Sequence, residues 1–194
     1  MLGLRNLVID PIGELLSFAE RSYVRMQAEQ LILQCLQDRD PKPFYSLVNE
    51  LVAAGAPSLA IVREVQEVLR FIKTQLTRDG RSVREDLVEA MAEFGVYIPE
   101  VIAADSPVAF HQMCNRSFRE DVRKQGAKLE VEDVDLLEEI CLEAGEKVTV
   151  IAARMSLLGE MESAIKDWLA GLAYEAAHSP DPAWERRSQP NHWQ

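Results

Sequence analysis

Apolar side chains recur every three and four residues, without a slip, along the C-terminal part of this 194-residue chain. An α-helix turns once every 3.6 residues, so this spacing aligns the side chains on one helix face. Glu162 is the one polar member of the series. The apolar seam consists of Val134, Leu137, Cys141, Ala144, Val148, Ile151, Met155, Leu158, Glu162, Ile165, Leu169 and Leu172. It predicts a single long helix over about residues 130–177.

Gly145 is the main objection to one continuous helix. Glycine often ends a helix, and the run Val148 to Ile151 that follows is typical of a strand. However, the apolar seam keeps its phase across the glycine. So does a column of acidic residues on the opposite face, spaced in multiples of seven: Glu139, Glu146, Glu160 and Asp167. Sustained periodicity favours one helix, and a kink at Gly145 is the alternative.

A column of small residues accompanies the seam. It contains Gly145, Ala152, Gly159 and Ala173, in the same heptad position, and Lys166 interrupts it. Small side chains allow a neighbouring helix to approach closely, which offsets the cost of glycine in a helix, up to about 1 kcal/mol relative to alanine. We therefore expect another helix, from this chain or from another, to pack near Gly145.

The length of this helix limits the shape of the molecule. At 1.5 Å per residue it is roughly 70 Å long, whereas a compact domain of this size is only about 42 Å across. Either the bundle is elongated, or one end of the helix is covered by a partner. Glu162 could fix the register or the oligomeric state, or could face solvent where the bundle ends.

Helix start and stop signals divide the rest of the chain. The first helix runs from Asp10 and Pro11 to about Asp38, and its apolar face consists of Ile12, Leu16, Ala19, Tyr23 and Met26. The second runs from Asp40 and Pro41 to Gly55.

Three further helices are predicted before the long one. A third helix begins at Pro57 and ends at a turn at Asp79 and Gly80, and a fourth runs from a capping box at Ser82 and Glu85 to Gly95. A fifth spans 106–126. The sequence predicts an all-α, elongated helical bundle of about six helices in one domain, residues 1–177, with a flexible tail at 178–194.

Composition narrows the function classes. The formal net charge is −11, and residues 127–177 hold twelve acidic and four basic residues. Such a chain is repelled by phosphate backbones, which disfavours nucleic acids and anionic membranes. No apolar run approaches the roughly 20 residues of a membrane span. Three cysteines without CxxC spacing predict no disulfides, and we expect a cytoplasmic protein.

Two groups outside the long helix are candidates for partner binding. Arg116, Arg119 and Arg123 share one helix face and could bind an acidic partner or a phosphate, or could pair with the acidic run at 130–139. Trp184 and Trp193 lie in the tail and could dock on a partner or on the protein's own bundle.

Signals for catalysis or metal binding are weak. His111 and Cys114 stand three residues apart, but no second pair accompanies them. Glu175 and His178 form a single ExxH, whereas di-iron bundles need two such motifs and two further glutamates. Nucleotide-binding loops and hydrolase motifs are absent from the sequence. No catalytic residue, cofactor or metal is assigned, although scattered carboxylates would leave no local motif.

These features favour a non-enzymatic interaction, assembly or regulatory subunit that oligomerises or binds a protein partner through the long helix. The candidate partner-binding residues are Glu162, Trp184, Trp193, Arg116, Arg119 and Arg123. One alternative is a helical subunit of a nucleoprotein complex that uses the arginines. Another is a helical binder of a small ligand or metal near His111 and Cys114.

Overall fold

The computed structural model describes residues 16–55, 58–97, 124 and 130–178, without the side chains of residues 175 and 176. These residues form four helices and contain no strand. The helices are α1 (Phe18–Asp38), α2 (Lys42–Ala54), α3 (Leu59–Glu93) and α4 (Val131–His178). The all-α prediction is confirmed, but the described residues form four helices where about six were predicted for the whole chain. Apart from Lys124, which is helical, the predicted fifth helix lies outside the described residues.

A capping box fixes the start of α1. The Glu20 amide donates to Ser17 Oγ at 3.3 Å, and the Ser17 amide donates to Glu20 Oε2 at 2.7 Å. Two amides that lack partners inside the helix are thereby satisfied. The prediction of one helix from Asp10 to Asp38 is wrong at its start, because Leu16 and Ser17 are not helical.

The predicted apolar face of α1 is also only partly correct. Leu16 is buried, but Ala19, Tyr23 and Met26 are exposed. The helix instead buries the opposite side, formed by Val24, Ala28, Leu31, Ile32, Cys35 and Leu36. Both sides of α1 are rich in apolar residues, so the spacing alone does not identify the buried one.

The second helix matches its prediction. It begins at Lys42, whose amide donates to Asp40 Oδ1 at 3.1 Å, and ends at the cap residue Gly55. Its buried face consists of Phe44, Leu47, Val48 and Leu51.

Helix α3 is continuous, so the predicted turn at Asp79 and Gly80 is wrong, and so is the separate fourth helix predicted to start with a capping box at Ser82 and Glu85. Gly80 is buried within a line of inward-facing residues that continues from Leu76 to Leu87 and Met91. The helix ends at Glu93, and Gly95 follows with φ of +67°. The Val96 amide donates to Met91 O and the Gly95 amide to Ala92 O, both at 2.9 Å. This is a Schellman ending, in which glycine supplies the left-handed residue.

Helix α4 confirms the prediction of one long helix. It contains 48 residues and passes through Gly145 without a break. The hydroxyl of Thr149 donates to the Gly145 carbonyl at 2.7 Å, one turn back along the helix. At 1.5 Å per residue, α4 is roughly 72 Å long.

The described residues fall into two compact units. Unit 2 comprises Lys73–Ser156. Its core joins the second part of α3, through Leu87 and Met91, to the first part of α4. The residues of this core are Leu87, Met91, Val96, Leu137, Cys141, Ala144 and Val148.

Unit 1 comprises Met1–Ile72 and Leu157–Gln194. It contains α1, α2, the first part of α3 and the last part of α4. A buried carboxylate links α1 to α3, since Arg25 Nε donates to Glu64 Oε2 at 2.5 Å and Arg21 Nε lies 3.7 Å from Oε1. The hydroxyl of Tyr45 on α2 donates to Glu160 Oε2 on α4 at 3.4 Å.

Candidate protein-interaction surface

The side of α4 that faces away from the core of unit 2 is exposed. Leu137, Cys141, Ala144 and Val148 are spaced three and four residues apart and therefore share the buried face of the helix. The exposed surface lies on the opposite side. We call this surface the outer face of α4, and it consists of Asp135, Glu139, Leu142, Glu146, Thr149 and Ala153. Leu142 is 42% exposed and lies between two glutamates. This part of α4 therefore has one buried apolar face and one exposed face of mixed acidic and apolar character.

The charge of the outer face is negative throughout. Three of its six residues are acidic and none is basic. The neighbouring Lys147 is already paired, because its Nζ lies 2.7 Å from Glu143 Oε1. This contact lowers the pKa of Glu143 and raises the pKa of Lys147. Acidic groups beside an exposed leucine make the face suitable for a partner with basic and apolar residues.

The predicted apolar seam describes α4 well in unit 2 and less well in unit 1. From Leu137 to Ile151, each seam position is buried. In unit 1 the buried positions are Leu158, Met161, Ile165 and Trp168. Glu162, the predicted register-setting residue, is only partly buried, since Met161 occupies the buried column beside it. The sequence pattern missed Met161 and Trp168 because it extended one fixed heptad over the whole helix.

The small-residue column is open within the described part of the chain. A Cβ atom added at Gly145 or Gly159 would meet no atom within 4 Å, outside the helix's own nearby backbone. No helix of the described residues therefore packs closely against either glycine. The approach of another helix, from the rest of this chain or from another chain, stays a prediction.

Two polar groups are buried in unit 1 without a hydrogen-bond partner among the described residues. They are Ser58 Oγ and the indole Nε1 of Trp168. Unsatisfied buried donors are uncommon in proteins and each costs about 1–3 kcal/mol.

Several predicted site residues lie outside the described residues. They are Arg116, Arg119, Arg123, Trp184, Trp193, His111 and Cys114. Of the ExxH pair, His178 is described. Its Nδ1 is 2.9 Å from the Tyr174 carbonyl, and its ring stacks on the ring of Tyr174 at 4.1 Å.

The described residues include no group of three or more His, Cys, Asp or Glu side chains arranged to hold a metal ion. Among the same residues, no helix has the length and apolar content needed to cross a membrane.

Comparison of the chain with protein-family models, curated proteins and solved structures gave no match. Functional inference therefore depends on the chemistry of the surfaces described above.

Proposed function

We propose that this protein is a non-enzymatic interaction or assembly subunit that binds a partner protein through α4. The observation that carries the proposal is the outer face of α4, an exposed acidic and apolar surface on the back of a helix whose other side forms the core of unit 2. The core holds the helix in place, so the face is preorganised. Binding to a preordered surface loses less conformational entropy than binding to a flexible segment.

The charge of this face indicates the chemistry of the partner. A partner segment with Lys or Arg on either side of an apolar residue would neutralise Glu139 and Glu146 while covering Leu142. Opposite charges at the rim mainly increase the association rate and the specificity, and the buried apolar contact contributes most of the affinity.

Photo-crosslinking tests the proposal whatever the identity of the partner. A photoreactive aliphatic amino acid at position 142, which preserves the apolar character of Leu142, is expected to give a discrete crosslinked product in cells of the source organism. The same amino acid at Phe71, an exposed site on α3, is the positional control. The product at position 142 is expected to disappear when Glu139 and Glu146 are replaced by Lys.

A matched charge reversal makes the result specific. Glu85→Lys with Glu89→Lys changes the net charge by the same amount at two exposed positions of α3 and is expected to retain the product. A product that survives Glu139→Lys with Glu146→Lys, or that forms equally from position 71, would contradict the proposal.

A further inference from the structure

A second exposed face runs along α1. Its residues are spaced four, three, four, three and four apart, as in a coiled-coil seam. We call it the outer seam of α1, and it consists of Ala19, Tyr23, Met26, Gln30, Leu33 and Gln37. Met26 and Leu33 are each 47% exposed. Helix α1 thus presents apolar side chains to water on the side opposite its own core.

Packing among the described residues of unit 1 leaves this seam uncovered. The buried side of α1 is already covered by its own core, since Val24, Ala28 and Ile32 have no solvent-accessible surface. A surface helix with one buried face normally carries charged or polar residues on the other. Exposed apolar residues at regular spacing along one helix are a pattern typical of an interface.

The absence of charge on the outer seam points to its occupant. In a two-fold symmetric interface the same patch is used by both copies, so any net charge on the patch meets a charge of the same sign. The chain carries a net charge of −11, and the outer face of α4 would bring acidic residues against acidic residues. The outer seam of α1 avoids this repulsion because all six of its residues are uncharged.

Its polar residues are compatible with the same symmetry. A glutamine amide both donates and accepts hydrogen bonds, so Gln30 and Gln37 can pair with glutamines of a second copy. A carboxylate could not do so, since it only accepts. Polar residues in a seam lower stability while fixing its register.

We propose that the outer seam of α1 binds a second copy of this chain and forms a homodimer. The contact involves three heptads and two glutamines, so the dimer is weak and forms in the micromolar range. This interaction is separate from the proposed binding of a partner by α4. The two proposals can fail independently because their substitutions lie on different helices.

Analytical ultracentrifugation of the full chain from about 1 to 200 μM tests the dimer. The wild type is expected to shift from monomer to dimer, and Met26→Glu with Leu33→Glu is expected to weaken association at least tenfold. Val52→Glu with Phe71→Glu is the matched control, since Val52 on α2 is 44% exposed and Phe71 on α3 is also exposed. This control should dimerise as the wild type does.

A charge-swap experiment separates association from folding. Gln30→Glu and Gln30→Lys should each weaken self-association, and their equimolar mixture should restore it as a heterodimer. A wild type that is monomeric at 200 μM overturns the proposal. A mixture that stays monomeric, or a control that weakens association equally, also overturns it. Loss of thermal stability in the seam variant without any change in association would assign the seam to an intramolecular contact instead.

Discussion

At the scale of single residues, the carboxylate of Glu64 gives an asymmetric prediction. Its side chain is only 11% exposed, whereas the two arginines that contact it are about half exposed. Arg25→Met leaves a buried carboxylate with one distant partner, and Glu64→Met leaves arginines that water can solvate. A buried charge without its hydrogen bond is the costlier case. We expect Arg25→Met to lower the free energy of unfolding by about 1–3 kcal/mol more than Glu64→Met.

Urea unfolding of both variants measures this difference. The double variant Arg25→Met with Glu64→Met should be more stable than Arg25→Met alone, because it removes the unpaired carboxylate. Equal destabilisation by the two single substitutions would show that Arg21 fully compensates for Arg25.

Cys35 makes stability sensitive to alkaline pH. Burial raises the pKa of its thiol above the ordinary value. The unfolded chain therefore releases the thiol proton at a lower pH than the folded protein does. This contribution to stability is complete below the ordinary thiol pKa, about 8.5, and is lost as pH rises through the folded value. We expect the wild type to lose stability more steeply than Cys35→Ala as pH rises above about 8.5.

Chemical denaturation at fixed pH values measures the two slopes. Cys35→Ala also leaves a small cavity, so the comparison concerns the slope with pH and not the absolute stability. The slope of stability with pH can also be compared with that of Cys141→Ala, since Cys141 is buried as well. Identical slopes for wild type and Cys35→Ala would contradict the assignment.

At the scale of helices, the open glycines of α4 predict a gain in stability. Glycine in a helix interior is less favourable than alanine by about 0.5–1 kcal/mol. A Cβ at Gly145 or Gly159 meets no described atom outside the nearby helix backbone, so alanine adds no steric cost within this part of the chain. We expect Gly145→Ala and Gly159→Ala each to raise the free energy of unfolding by about that amount, measured by urea denaturation.

The same two substitutions test the packing prediction for the small-residue column. If a helix from another chain packs against it, alanine should weaken the association while still stabilising the free protein. Gly95→Ala is the contrasting variant, because φ of +67° at that residue disfavours a side chain, and it should lower stability.

Periodicity predicts α4 through its glycine, and the same criterion applies to α3. Gly145 is compatible with a helix because the apolar seam keeps its phase across it. The residues around Gly80 keep phase in the same way, from Leu76 to Leu87 and Met91, although the Asp79 and Gly80 pair has the local composition of a turn. A tertiary core that favours a continuous helix outweighs the local cost of one glycine.

Other features depend on tertiary structure and could not be predicted from spacing. Helix α1 has apolar residues on two sides, and only its packing in unit 1 shows that Val24 and Ile32 are inside and Met26 is outside. The shift of the buried column of α4 to Met161 and Trp168 likewise reflects which neighbours surround it. The outer face of α4 was partly predictable, since the acidic column includes Glu139 and Glu146 but not Leu142.

At the scale of the whole molecule, the net charge of −11 makes the two proposed interactions respond oppositely to salt. Raising ionic strength from 0.1 to 1 M shortens the Debye length from about 10 to 3 Å. Two copies of an acidic chain then repel each other less, while the uncharged outer seam of α1 loses no attraction. Binding of a basic partner to the outer face of α4 loses part of its electrostatic attraction under the same conditions.

We therefore expect added salt to strengthen self-association and to weaken binding of the α4 partner. Ultracentrifugation measures the first effect, and the yield of the crosslinked product from position 142, assayed in lysate at graded salt concentrations, measures the second. Glu139→Lys with Glu146→Lys should abolish partner binding and, with it, the salt dependence of the crosslink yield. The salt dependence of self-association should remain. If both interactions weaken with salt, charged contacts hold the two copies together, and the uncharged seam of α1 is not their interface.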